Sequence, residues 1–184
     1  MVTENLVRAF ASTRSVLEGM QEVDLDGPTP CASWTVRDLL NHIVGGTHYF
    51  AVGTETGVAP EGGDQDFTEG DVLAAFDEGS ARAIAAFAAP GAQEKILKLP
   101  FGEFPGSAFM QLATSDTFTH GWDLAKTTGQ STDLDPELAE QLLAASGIPD
   151  AFRGPEPMPF GPLQEAPAGA TAADRYAAYL GRTV

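Results

Sequence analysis

Apolar residues recur every three to four positions through most of the chain, the spacing of helices that bury one face. The first predicted helix runs from about Thr3 to Met20. Its core face is expected to carry Leu6, Val7, Phe10, Val16 and Leu17. The following segment, Val23 to Trp34, contains two prolines and is predicted to be an ordered loop.

A second helix is predicted to begin near Thr35 and to continue to about Val52. Thr35 and Asp38 have the spacing of a capping box, in which each side chain binds the other residue's backbone N–H. The apolar side of this helix is formed by Val36, Leu39, Leu40, Ile43 and Val44.

The remaining pattern predicts further helices, separated by segments rich in glycine and proline. A third helix is expected from Thr68 or Glu69 to Ala89, with a core face of Val72, Leu73, Phe76, Ile84 and Phe87. Others are expected at Ser107 to Thr128, Asp135 to Ser146 and Thr171 to Leu180, with a short hairpin within Ile96 to Phe104. Gly53 to Asp66 and residues 147–170 are expected to be irregular. The prediction is a single all-α domain over residues 1–184 with four main helices.

The net charge of the chain argues against some classes of binding partner. The chain has 26 acidic and 10 basic residues, for a formal net charge of −16. This balance argues against binding nucleic acid or an anionic membrane. Cys31 is the single cysteine and cannot form an internal disulfide. With neither a signal peptide nor an apolar run of membrane-spanning length, we expect a cytoplasmic protein.

The three histidines, His42, His48 and His120, are the first candidates for chemistry. Asp116 precedes His120 by one helical turn, so both side chains project from one face and can hold one metal ion. His42 on a facing helix would supply a third ligand. The alternative is an ordinary Asp–His hydrogen bond and a core histidine. His48 is rotated far from His42 and is not expected in the same ligand set.

Three separated segments resemble one protein family. They are TPCASWTVRDLLNHIVGG (Thr29 to Gly46), DTFTHGWDLAKTTGQ (Asp116 to Gln130) and ADRYAAYLGR (Ala173 to Arg182). In this order they resemble the DinB-like superfamily. The closer resemblance is to its actinobacterial branch, which includes the N-terminal domain of mycothiol-dependent maleylpyruvate isomerase.

The resemblance implies a DinB-like four-helix bundle with a divalent metal, zinc or nickel, held by His42, Asp116 and His120. Asp116 stands where the isomerase-like members have glutamate, so the helices are expected closer together or the metal more loosely held. The isomerase has an additional C-terminal domain. We do not expect the segment after Ser146 to supply one, and this counts against the isomerase reaction itself.

The resemblance also implies an activity, with mycothiol as co-substrate: a thiol transferase or isomerase-like enzyme acting on a small electrophile. The alternatives are a metal-dependent hydrolase or amidase, and a non-catalytic metal-stabilised bundle that binds a ligand. We expect a small-molecule substrate and either a monomer or a homodimer. Arg37 and Arg82 could anchor an anionic substrate, or could simply be solvated. The negative charge of the molecule favours a neutral electrophile.

Four further residues lie in or near these motifs, and each could have a structural or a functional role: Cys31, Trp34, Trp122 and Asp123. Cys31 precedes the second helix, whose N-terminus could activate a thiol, but the favoured interpretation is packing of the loop against the bundle. Trp34 and Trp122 are likewise expected to pack. Asp123 could accept a hydrogen bond from a metal-binding imidazole. The alternative is that Asp123, which is adjacent to Trp122 in the sequence, only caps a local contact.

Overall fold

A computed structural model describes residues 3–61, 63, 65–100, 102–155, 158 and 160–184. Three predicted segments extend beyond these ranges. Residues 62 and 64 of the Gly53 to Asp66 loop, residue 101 of the hairpin, and residues 156, 157 and 159 of the irregular 147–170 segment lie outside the described residues.

The described residues form mostly helix, which confirms the predicted fold class. The α-helices are α1 (Glu4–Glu18), α2 (Val36–Thr56), α3 (Val72–Ala88), α4 (Gly106–Thr127), α5 (Pro136–Ala145) and α6 (Ala172–Tyr179). Short 3-10 helices cover Phe67–Glu69 and Asp150–Phe152. The predicted hairpin is present as antiparallel strands β1 (Ile96–Leu99) and β2 (Gly102–Pro105), with Leu97 opposite Phe104.

Helices α1 to α4 form the bundle. Helix α2 packs against α3 and α4, and α1 packs against α4 and α3, while α5 and α6 pack together beside it. The largest fully buried side chains of the bundle are Trp122, Phe76, Phe87, Phe109 and Phe118. Of the described helices, none has both the length and the apolar character needed to cross a bilayer.

The prediction that Val7 belongs to the core face of α1 is wrong. Val7 is 41% exposed, because the buried face of α1 follows Leu6, Ala9, Phe10 and Thr13. Val7 is one position beyond Leu6, about 100° around the helix, and so points away from that face.

Two predicted boundaries also need correction. Helix α2 continues past Gly53, which was predicted to begin a loop, and ends at Thr56 before Gly57. The third helix does not start at Thr68 or Glu69. Instead, a 3-10 helix ends at Glu69, and α3 begins at Val72 with the Asp71 side chain capping its first turn.

Candidate metal centre

The start of α2 is fixed by the predicted capping box. The Thr35 hydroxyl accepts a hydrogen bond from the Asp38 N–H at 3.2 Å, and the Asp38 carboxylate accepts one from the Thr35 N–H at 2.8 Å. His42 follows two helical turns later. It faces α4, where Asp116 and His120 lie one turn apart.

The structure brings these three predicted residues together. The His42 Nε2 atom lies 3.2 Å from Asp116 Oδ1, and the His120 Nε2 atom lies 3.6 Å from the same oxygen. One possible ligand atom from each residue lies within 4.8 Å of the others. The shorter aspartate side chain therefore reaches both imidazoles.

The donor set fits a small divalent ion. In a tetrahedral zinc site with bonds of about 2.0–2.1 Å, neighbouring ligand atoms lie about 3.3 Å apart. The separations from Asp116 Oδ1 to the two imidazole nitrogens are close to this value. Zinc and nickel both accept imidazole and carboxylate ligands. Three protein ligands would leave a coordination position open.

The electrostatics of the pair formed by His42 and Asp116 favour a shared cation. Burial opposes charge on His42, but the Asp116 carboxylate outweighs it and raises the pKa of His42 above its ordinary value. Burial likewise opposes charge on Asp116, yet His42 and then His120 hold its pKa below its ordinary value. The site therefore contains an ionised carboxylate that stabilises positive charge beside it.

Asp123 fixes the orientation and tautomer of His120. This carboxylate is fully buried, and its Oδ2 atom lies 2.9 Å from His120 Nδ1. Burial opposes its ionisation, but hydrogen bonds from His120 and Arg182 lower the pKa of Asp123 to about 2. An ionised carboxylate only accepts hydrogen bonds, so His120 Nδ1 donates. In the neutral imidazole, the lone pair is then on His120 Nε2, the nitrogen that faces Asp116.

Trp34 covers the two imidazoles. Its ring centroid lies 5.2 Å from that of His120, nearly parallel, and 4.7 Å from that of His42. The preceding loop holds it there, because the Thr29 hydroxyl donates to the Trp34 carbonyl oxygen at 3.0 Å. The same hydroxyl accepts a hydrogen bond from the Cys31 N–H at 3.1 Å. The conformation of this loop therefore places an indole against the candidate site.

A cavity of about 600 Å³ adjoins the cluster. His42 and Asp116 form part of its wall, so the candidate metal position borders on it. The other walls come from α2, from the segment that follows it (Pro60, Glu61, Gly63 and Gln65), from the 3-10 helix at Phe67 and from Leu112 on α4. Its volume is in the range of sites that bind small molecules.

Comparison with known proteins identifies the family. The model of the mycothiol maleylpyruvate isomerase N-terminal domain matches residues 6–125. The chain belongs to this family. Two uncharacterized proteins of Mycobacterium tuberculosis, from strains CDC 1551 and H37Rv, are each 43% identical to it over 183 residues. These alignments cover 96% of this chain and 95% of each relative.

A solved structure supports the same fold. The crystal structure of the mycothiol-dependent maleylpyruvate isomerase aligns with a TM-score of 0.59 at 17% sequence identity. The alignment covers 79% of this chain and 68% of the isomerase chain. At this identity the likeness concerns the fold.

One residue that supports the site, Arg182, lies beyond residues 6–125, the part of the chain that the family model matches. Arg182 donates to both oxygens of Asp123, at 3.1 and 2.9 Å. Local sequence patterns do not indicate this contact, which joins residues 59 positions apart. Gly181, with φ of 97°, lies just beyond the end of α6 and turns the chain, and the Arg182 N–H donates to the Ala177 carbonyl oxygen.

Cys31 belongs to a second group of possible ligands, with His120 and Asp123. Its thiol donates to Asp123 at 3.2 Å, and the Arg182 guanidinium lies 3.6 Å from the sulfur. Burial and then Asp123 raise the pKa of the thiol to about 12, so it is protonated at neutral pH. The guanidinium disfavours a second cation here. The cluster of His42, Asp116 and His120 is therefore the better candidate for a metal site.

Three other predicted positions lie apart from the ligand atoms. Arg37 pairs with Asp66 at 2.8 Å, and Arg82 donates two hydrogen bonds to Glu55. These pairings favour the interpretation of both arginines as surface residues. Trp122 is buried in the core, as expected for a packing residue.

His48 is not in the ligand cluster, in agreement with its rotation around α2. Its ring stacks parallel to Phe67 at 5.6 Å, and it forms part of the cavity wall.

Proposed function

We propose that this protein is a divalent-metal-dependent enzyme that adds the thiol of mycothiol to a small electrophile. His42, Asp116 and His120 would hold the metal, with zinc or nickel as the ion. The observation that carries the proposal is the convergence of these three side chains beside a cavity of about 600 Å³, whose wall includes His42 and Asp116. Membership of the mycothiol maleylpyruvate isomerase N-terminal domain family supports mycothiol as the thiol.

The metal ion would supply positive charge beside the reacting thiol. When bound, a divalent ion lowers the pKa of a thiol or water beside it. In the addition, the sulfur forms a bond to one carbon of an electrophilic double bond and the π bond breaks. The displaced electron pair takes up a proton, which balances the proton that the thiol loses. No residue of the site needs to act as the nucleophile.

The protein side chains organise the site. Asp123 holds the proton on His120 Nδ1, so that His120 Nε2 keeps its lone pair for the metal. Trp34 covers one side of both imidazoles and excludes water there. A substrate bound in the cavity would lie beside His42 and Asp116, which form part of its wall.

The test combines metal analysis with activity. We expect the purified protein to contain about one metal ion per chain by mass spectrometry, in accordance with a single set of three ligands. His42→Ala, Asp116→Asn and His120→Ala should each abolish stoichiometric metal. His48→Ala is the matched control, because it removes a histidine of α2 that is outside the ligand cluster. It should retain the metal.

Thiol transfer from mycothiol is measured in parallel with hydrolysis of a panel of esters and amides. We expect product only with mycothiol and only in the metal-loaded protein. Hydrolysis without any thiol requirement would replace the proposal with a metal-dependent hydrolase. If the protein binds metal but shows neither activity, it would be a metal-stabilised bundle that binds a ligand without catalysis. If the wild-type protein takes up no metal, the proposed metal site would be wrong.

A further inference from the structure

We propose that the cavity beside His42 and Asp116 selects an uncharged small molecule with a flat apolar group, and that the electrophile is therefore a neutral aromatic compound. The identity of this ligand as the electrophile rests on the proposed function. Binding in the cavity does not, because most of the wall lies outside the ligand cluster.

The walls of the cavity are largely aromatic and aliphatic. Tyr49, Phe50 and Val52 line it from α2, Leu112 from α4, and Phe67 from the 3-10 helix. Such a lining binds apolar surface by removing it from water. Aromatic groups also bind each other in offset or edge-to-face arrangements, which favours a flat ring as the ligand.

Phe67 is held in place by polar contacts behind it. Its backbone N–H donates to the Asn41 side chain at 2.7 Å, and the Asn41 amide donates to Asp66 at 3.0 Å. Asp66 also accepts a hydrogen bond from Arg37 at 2.8 Å. The wall formed by Phe67 is therefore tied to α2 and does not depend on a ligand for its position.

The charges around the cavity disfavour an anion. Glu61 and Asp116 contribute carboxylates, and the described lining residues include neither lysine nor arginine. The imidazole of His42 also lines the cavity, but its Nε2 atom is already paired with Asp116 at 3.2 Å. The nearby Arg37 already binds Asp66 and Thr68, so recruiting it to an anionic substrate would break both contacts. A metal ion at His42 and Asp116 would offset one negative charge of a ligand, but not two. A dicarboxylate therefore fits this cavity poorly.

The test compares two probes of the same shape and different charge. Methyl cinnamate is an uncharged aromatic electrophile, and cinnamate is the corresponding anion. We expect calorimetric titration of the wild-type protein to give a dissociation constant for the ester at least about tenfold lower than for the acid at neutral pH. The titration is run on the protein as purified and after treatment with a chelator.

A charge introduced at the cavity wall checks where the probes bind. Leu112 is 38% exposed, so Leu112→Arg adds a cation without burying it. It should strengthen cinnamate binding about threefold, the size expected of one exposed charge. Val7→Arg on α1 is the matched control, because Val7 is similarly exposed at 41% and is outside the cavity lining. It should leave both constants unchanged.

The outcomes separate this inference from the proposed function. Preference for the ester in a protein that takes up no metal would support the cavity and reject the metal-dependent reaction. Equal affinity for ester and acid, tighter binding of the acid, or no binding of either would overturn the cavity inference. An effect of Val7→Arg equal to that of Leu112→Arg would also overturn it, since the probes would then respond only to overall charge.

Discussion

At the scale of single residues, the environment of His120 is the most specific feature of the molecule. Its side chain is 11% exposed, and the Asp123 carboxylate that contacts it is fully buried. Arg182 compensates the charge of Asp123, and the carboxylate raises the pKa of Arg182 despite burial. The orientation of one candidate ligand thus depends on an ion pair between α4 and the residue that follows the turn after α6.

We predict that Asp123→Asn weakens metal binding by about 10-fold to 100-fold, the usual cost of losing a carboxylate behind a ligating imidazole. The amide carries no charge and leaves the His120 tautomer less firmly fixed. Affinity is measured by competition with a chromophoric chelator, after circular dichroism has shown that the variant is folded. Asp133→Asn, at an exposed loop position, is the control. Equal metal affinity for both variants would contradict the role assigned to Asp123.

The sequence was sufficient to predict the three candidate metal ligands. It was not sufficient to predict Arg182, the cation that pairs with Asp123 behind His120. Asp116 and His120 are one helical turn apart, a spacing that is visible in the sequence and places both on one face. Asp123 was also identified as a possible partner of an imidazole. Arg182 was missed because its contact depends on how α6 packs beside α4 and on the turn at Gly181, and neither follows from local pattern.

At the scale of helices, apolar spacing and capping residues predicted the existence of the elements better than their ends. Gly53 was predicted to start a loop, yet it lies inside α2, where an added Cβ would be 2.9 Å from the Phe109 ring. The glycine permits close approach of α2 and α4. A contact between helices, rather than the local preference of glycine, decides the conformation there.

A second close approach, between α1 and α4, gives a stability prediction. A Cβ at Gly121 would lie 2.2 Å from the Thr13 hydroxyl oxygen and 3.3 Å from the Thr13 Cα atom. That hydroxyl donates to the Thr117 carbonyl oxygen at 2.8 Å. Gly121→Ala should therefore lower the free energy of unfolding by about 1–3 kcal/mol, because α1 must move away. The measurement is equilibrium unfolding in urea.

Gly45→Ala on α2 is the control for the intrinsic effect of the substitution. The nearest atom to its added Cβ, on the Phe67 ring, is 3.7 Å away, an ordinary contact. Alanine favours helix over glycine by about 1 kcal/mol, so this variant should be as stable as the wild type or more stable. If both variants change stability in the same direction and to the same extent, the α1–α4 approach is not as close as described.

At the scale of the whole molecule, the dominant quantity is the net charge of −16. The 10 basic residues cannot pair with all of the 26 acidic ones. Several of the basic residues form surface pairs, such as Arg14 with Asp77 at 2.8 Å, and exposed pairs of this kind each contribute only about 0–1 kcal/mol. Repulsion among the remaining carboxylates should therefore outweigh the surface pairs in determining how stability depends on salt.

We predict that raising sodium chloride from about 10 mM to about 150 mM increases the thermal unfolding midpoint, because the screening length falls from about 30 Å to about 8 Å. Neutralising two exposed carboxylates, in the double variant Glu22→Gln/Glu165→Gln, should reduce this dependence. A midpoint that falls with salt would show that ion pairs dominate the dependence of stability on salt.

The same screening should strengthen cinnamate binding and leave methyl cinnamate binding unchanged, since only the anion is repelled. Equal salt dependence of the two probes would show that molecular charge does not act on the ligand.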